Sequence, residues 1–222
     1  MPNIITIDGP TSSGKSSIGH LFSQKINYRF IDTGAIYRIG SLVALRKGVL
    51  LSDEESLADI FKNLEVSFKG VDGQSRIFLD KEDVTDILHN PEITSIVATV
   101  ASYAKVRNEC KKLQRKIGLR QNTVMVGRDI GSEIFPDSKL KFFITASAEV
   151  RAKRRYDQLV KKDLSVKLND VLDQMLERDK KDTTRKASPM RIPKGAVVID
   201  TSKKTVEQTV AILIDNFRNT FG

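Results

Sequence analysis

Residues 9–16 read Gly9-Pro10-Thr11-Ser12-Ser13-Gly14-Lys15-Ser16 and fit the spacing G-x-x-x-x-G-K-[ST] at every fixed position. Each fixed residue type serves one chemistry, the binding of a polyphosphate. The glycines let the backbone turn tightly, so that successive N–H groups point at phosphate oxygens. A helix starting near Lys15 would present the positive end of its dipole to the same oxygens. Lys15 would bridge the β- and γ-phosphates of ATP, and the Ser16 hydroxyl would bind Mg²⁺. Ser17 completes the candidate nucleotide-binding set. The competing reading is an ordinary Gly/Ser loop. Context argues against it, because the match lies directly after a β-branched run and directly before a helical segment.

A loop that holds ATP does not say what is done with it. The arginines discriminate. Phosphoryl transfer between two anions needs cations at the donor, at the acceptor and at the transferred group, since catalysis here is mainly positioning and charge neutralisation. Arginine suits this through its planar, permanently charged fork. Four groups stand out: Asp32-Thr33-Gly34-Ala35-Ile36-Tyr37-Arg38; Arg107; Gly127-Arg128-Asp129-Ile130-Gly131; and Arg178 to Arg185, with Arg154 and Arg155 before it. An isolated surface arginine in an i,i+4 pair is the bland alternative for each. Arg128 fits it least, because Arg-Asp between glycines after a buried strand has little packing purpose.

These side chains need elements to position them. Residues 3–8 read as a buried strand, 15–25 as a helix, 28–31 as a second strand, and 35–47 as a helix closed by Gly48. Ser52 with Glu55 forms a candidate capping box for a helix to about 63. Residues 65–69 and 76–80 then alternate around Asp72-Gly73, the pattern of an antiparallel hairpin, with a third short strand at 83–85. Asn90-Pro91 opens a long helix toward 115. Strands follow at 123–126, 140–145 and 196–200, and helices at 148–161, 166–179 and 205–217. Strands alternating with helices imply a mainly parallel sheet with helices on both faces. The hairpin interrupts that alternation and reads as a small insert. The second and third strands end just before Asp32 and Gly127, where a parallel sheet places ligand-binding loops.

Composition narrows the class further. The 222 residues are 40% hydrophobic and 29% charged, as in soluble globular proteins. The net charge of +9 attracts anions. Residues 151–191 hold 13 basic against 7 acidic side chains, so much of the excess is local. The one cysteine, Cys110, cannot form an internal disulfide. No apolar run approaches the roughly 20 residues needed to span a bilayer, and the N-terminus has no signal-peptide pattern. A cytoplasmic location is expected. His20, His89 and Cys110 lack metal-ligand spacing.

The chain resembles the bacterial cytidylate kinase family along essentially its whole length. The matching segments are ITIDGPTSSGKSS, DTGAIYR, KVR at 105–107, GRDIGSEIFPD, ERDKKDTTRKASPM and VVIDTS. The resemblance implies an α/β P-loop NTPase fold with a five-stranded parallel sheet flanked by helices, a small antiparallel β insert that binds the nucleoside monophosphate, and a helical lid. The core would comprise 1–63, 116–150 and 192–222, the insert about 64–115 and the lid about 151–191. The resemblance also implies roles. Arg38, Arg128 and Arg185 would grip the acceptor phosphate. Thr33, Arg107 and Asp129 would hold the cytosine and its sugar, and Arg178 and Asp182 would contact the sugar hydroxyls. Arg154 and Arg155 would belong to the lid that closes over ATP; with Lys15, Arg128 and Arg185 they form the expected catalytic set. Two positions depart from the family pattern. Val126 stands where an acidic residue usually precedes Gly-Arg-Asp, and Ala98, followed by Thr99, stands where a serine usually helps read the base.

The expected reaction is phosphorylation of CMP or dCMP by ATP with Mg²⁺. The expected partners are small-molecule nucleotides, with no nucleic acid, no membrane and a monomeric chain. Two other readings stand beside it: a kinase for UMP or AMP, and a basic nucleic-acid-binding protein with a vestigial nucleotide site. The second lacks a recognition motif, and only 6% of residues are aromatic and able to stack on bases.

Overall fold

The computed structural model describes residues 2–71, 74–161 and 165–222. The Asp72-Gly73 turn expected from the sequence lies outside the described residues. Among the described residues, eight strands and eight α-helices are arranged as β1 Ile4–Asp8, α1 Lys15–Lys25, β2 Arg29–Asp32, α2 Thr33–Arg46, α3 Glu54–Lys62, β3 Val66–Val71, β4 Gln74–Leu79, β5 Glu82–Asp83, α4 Pro91–Val100, α5 Ala104–Gly118, β6 Thr123–Val126, β7 Leu140–Thr145, α6 Ala148–Val160, α7 Leu168–Thr184, β8 Val197–Asp200 and α8 Val206–Phe221.

One sheet is parallel, with strand order β2-β6-β1-β7-β8. Burial follows position in it. Every residue of the central β1 and of β6 is buried, whereas the edge strands β2 and β8 each bury one residue in four. This matches the continuous apolar runs of strands covered on both faces. Alternation along β1 then sorts the core. Ile5 and Ile7 pack with Ile18 and Phe22 of α1 and Leu213 of α8, while Ile4 packs with the cluster of Ile36 and Ile39 from α2 and Ile117 from α5. A second sheet, β3-β4-β5, is antiparallel. Arg46 of α2 donates two hydrogen bonds of 2.7 Å to Glu82 of β5 and ties that sheet to the core. The expected fold class is the one observed.

Three local readings are corrected. The cap of α3 is Asp53, not Ser52: its Oδ1 accepts the Ser56 N–H at 3.0 Å, and Glu54 and Glu55 then suit the positive end of the helix. The long helix expected from 91 to 115 is two helices. Tyr103 is extended at φ −71° and ψ 132°, and α5 starts anew after it. Tertiary partners make the break: the Tyr103 hydroxyl donates to Leu51 O at 2.7 Å, and Glu54 accepts the otherwise orphaned Lys105 N–H at 2.8 Å. The helix α7 runs past 179 to Thr184, which places Asp182 on a helical face. The boundary expected at 115 between insert and core falls inside α5.

The α2–α3 contact offers a test. A Cβ on Gly40 would lie 2.1 Å from Cζ of the fully buried Phe61. Helix propensity favours Gly40→Ala by about 1 kcal/mol, but overpacking costs about 1–3 kcal/mol. Denaturant melts of Gly40→Ala are expected to show a net loss of stability.

Candidate active site

The phosphate loop leaves the carboxyl end of β1, between β6 and β7. Gly9 has φ +147°, and a Cβ there would lie 2.0 Å from Ile144 O, so the loop can turn at this point only with glycine. Gly14 is left-handed at φ +92° and caps α1. Lys15 is buried, and its Nζ donates to Pro10 O at 2.5 Å and to Ser13 Oγ at 3.2 Å. Burial, reinforced by nearby Arg128, pushes its pKa well below the ordinary lysine value. The Ser16 hydroxyl donates to Asp32 Oδ2 at 2.6 Å.

Opposite this loop lies a cleft of about 1170 Å³. It is lined by every candidate side chain named from the sequence except Gly9, Pro10 and Thr11, which form the first turn of the loop behind it. Arg107 and Asp129 are buried and paired at 2.5 Å, and the Arg107 guanidinium lies 5.5 Å from the Tyr37 ring centre. The break before α5 contributes directly, since Ala101 O accepts from Arg107 Nη1 at 3.1 Å. Asp182 bridges two arginines, with Arg128 Nε at 3.0 Å and Arg185 Nη1 at 3.1 Å. Arg185 Nη2 also lies 3.6 Å from Asp129. Arg38 donates to Leu88 O and to Thr94 Oγ1 at 3.1 and 2.9 Å. Thr33 Oγ1 donates to Val126 O at 2.9 Å.

Arg154 is held beside the phosphate loop by Thr201, through its Oγ1 at 3.0 Å and its carbonyl at 2.7 Å. Arg155 and Arg178 line the cleft, and among the described residues neither forms an ion pair or hydrogen bond. Burial lowers the pKa of both, that of Arg178 to about 10, with repulsion from Arg128 adding to the shift. Partly desolvated cations with no ion pair of their own, facing a cavity, make an anion-binding surface. Ala98 and Thr99 line the cleft, as does Val126, whose side chain packs toward Gly19 of α1.

Sequence reasoning left several acidic residues unassigned, Asp32 and Asp8 among them. Asp32 stands inside a quoted segment, but its bond to Ser16 crosses from β2 to α1. Asp8 is fully buried at the end of β1. Its two oxygens accept the backbone N–H groups of Ile130 and Gly131 at 2.8 and 2.7 Å, and so fix the turn that carries Arg128 and Asp129. Residues 130–134 form a π-helical turn there, which the sequence did not indicate.

A phosphate loop at the carboxyl edge of a parallel sheet, opening on one cleft lined by seven arginines, defines a P-loop phosphotransferase. A family model described as cytidylate kinase matches residues 5–219. The cytidylate kinase of Caldanaerobacter subterraneus subsp. tengcongensis is 42% identical over 98% of this chain and 96% of its own. That of Bacillus subtilis is 36% identical over 95% and 94%. The chain belongs to the cytidylate kinase family. Among solved structures, an uncharacterized protein from Eubacterium ventriosum shares the fold, with TM-score 0.54 and 14% identity over 97% of this chain and 98% of that one.

Burial raises Asp8 from an ordinary 3.8 to about 7, against the pull of its two N–H donors. The folded chain therefore holds a proton between about pH 4 and 7 that the unfolded chain has released, and stability falls as pH rises across this window. Asp8→Asn removes the titration. Its stability relative to the native sequence is expected to rise by about 1.4 kcal/mol per pH unit over that range, checked by urea melts at several pH values. A pH-independent difference would contradict the assignment.

Proposed function

We propose that this protein transfers the γ-phosphoryl group of ATP to CMP or dCMP, giving ADP and the cytidine diphosphate. The observation that carries this is the gathering of seven arginines around the cleft on which the phosphate loop opens, in a chain of the cytidylate kinase family. A phosphate oxygen of the monophosphate attacks the γ-phosphorus in line. That nucleophile is anionic at neutral pH, so no strong base and no covalent enzyme intermediate are required.

The chain's residues position and neutralise. Lys15 holds the β- and γ-phosphates, and the loop from Gly9 to Ser17 turns its N–H groups to them. Arg38, Arg128 and Arg185 grip the acceptor phosphate, and anion binding offsets the desolvation and mutual repulsion that depress the Arg178 and Lys15 pKa values. Thr33, Arg107 and Asp129 hold the cytosine and its sugar, and Arg178 and Asp182 the sugar hydroxyls. Arg154 and Arg155 belong to a lid, about 151–191, that excludes water around the donor. The insert at about 64–115 takes the monophosphate, on a core of 1–63, 116–150 and 192–222.

The Ser16 hydroxyl beside the Asp32 carboxylate is a pair of hard oxygen donors that fits Mg²⁺. When bound, the metal neutralises charge on the transferred phosphates. The protein acts as a monomer on free nucleotides. A cytoplasmic setting accords with the free, buried Cys110.

Coupled ADP release with CMP, dCMP, UMP and AMP tests the reading. The two cytidine nucleotides should give the highest kcat/KM; no acceleration by any acceptor would sink the transferase. Lys15→Ala and Arg128→Ala should each lower kcat by about 100-fold or more while the far-UV spectrum stays native. Near-normal turnover by either variant would contradict these roles.

A further inference from the structure

Three parts of the molecule meet at Thr11. Its backbone N–H donates to Asp179 Oδ1 at 2.9 Å, its carbonyl accepts from Arg151 Nη1 at 3.0 Å, and its hydroxyl accepts from Arg128 Nη2 at 3.0 Å. Arg151 of α6 and Asp179 of α7 are also ion-paired to each other, with side chains only 8% and 14% exposed. Arg151 Nε donates to Ala146 O at 3.0 Å, which anchors the guanidinium at the end of β7.

The register of α7 extends this arrangement. Asp179 and Asp182 are three residues apart and lie on one face. Asp179 takes the tip of the phosphate loop, and Asp182 takes Arg128 at 3.0 Å. A single rigid helix thereby joins the donor loop to an arginine on the acceptor side.

A buried ion pair is a poor stability device, because desolvation offsets most of its attraction. A bare carboxylate beside a phosphate site would also repel the substrate. Arg151 cancels that charge, and the free hydrogen-bonding capacity of the pair goes to the two backbone groups of one loop residue. We propose that Arg151 and Asp179 are positioning residues for phosphoryl transfer, clamping Thr11 and holding the phosphate loop in register with the helix that carries the acceptor-side ligands. This rests on the transferase reading above.

The test uses the full chain and two readouts: steady-state kinetics with ATP and CMP, and amide hydrogen exchange at Thr11. For Asp179→Ala, exchange at Thr11 should speed up selectively, and kcat should fall on the order of 100-fold, the cost of a displacement of about 1 Å, with the KM for CMP little changed. Arg151→Lys keeps the charge but not the fork and should fall between Asp179→Ala and the native chain on both readouts. Should Asp179→Ala not fold, the isosteric Asp179→Asn, which keeps an acceptor for Thr11 but loses the ion pair, is expected to show the same pattern in weaker form. Unchanged kcat and exchange would overturn the proposal, as would a loss of kcat that only tracks a uniform rise in exchange across the chain. A native chain that fails to phosphorylate CMP would refute the transferase reading, whereas the exchange at Thr11 would still decide whether the clamp exists.

Discussion

Seven arginines and Lys15 line one cleft, and their mutual repulsion is the constraint that the surrounding structure answers. Like charges in a partly desolvated space repel strongly, and burial adds a cost for each. The depressed pKa values of Lys15 and Arg178 record that cost. Carboxylates are placed to offset it. Asp129 lies against Arg107 and near Arg185, and Asp182 against Arg128 and Arg185. The compensation is incomplete, since among the described residues Arg155 and Arg178 form no ion pair, Asp182 acting on Arg178 only at longer range. In the proposed reaction phosphate groups would complete the charge balance, and substrate binding would relieve a tension built into the free protein.

The sheet makes this crowding possible. All five parallel strands end at one edge, and β1 lies between β6 and β7, so the phosphate loop and the Arg128 turn leave neighbouring strands. The buried Asp8 ties the second loop to the end of the strand that feeds the first. The phosphate loop and the Arg128 turn are thus referred to a common rigid base. Helices bring the remaining cations from further along the chain, and the break before α5 turns Arg107 inward through Ala101.

Two positions at the proposed base end of the cleft bring no polar side chain. Val126 contributes a backbone carbonyl to Thr33 and an apolar side chain toward α1, and Ala98 brings no hydrogen-bonding group. A pocket discriminates sharply when its polar groups go unpaired with the wrong ligand. Under the proposed function, Arg107 and Asp129, already bonded to each other, would carry a larger share of that discrimination.

The sequence by itself determined the phosphate loop, the α/β class and the membership of most of the cleft. These features are written in neighbouring residues: eight positions of fixed type, apolar runs of strand length, helical periods, and glycines where the backbone must turn. The ties within the site nevertheless depend on contacts that no local pattern announces, as Asp8 with Ile130 or Thr11 with Asp179 show at separations of 122 and 168 residues. The capping of α5 by Glu54 and the resulting split of an apparently continuous helix belong to the same class. So does the π turn after Asp129. Propensity and periodicity act over a few residues, whereas hydrogen-bond satisfaction and charge balance are settled among groups that meet only after folding. The tertiary structure alone decided which carboxylate answers which arginine, and how the loop that was legible from the start is held.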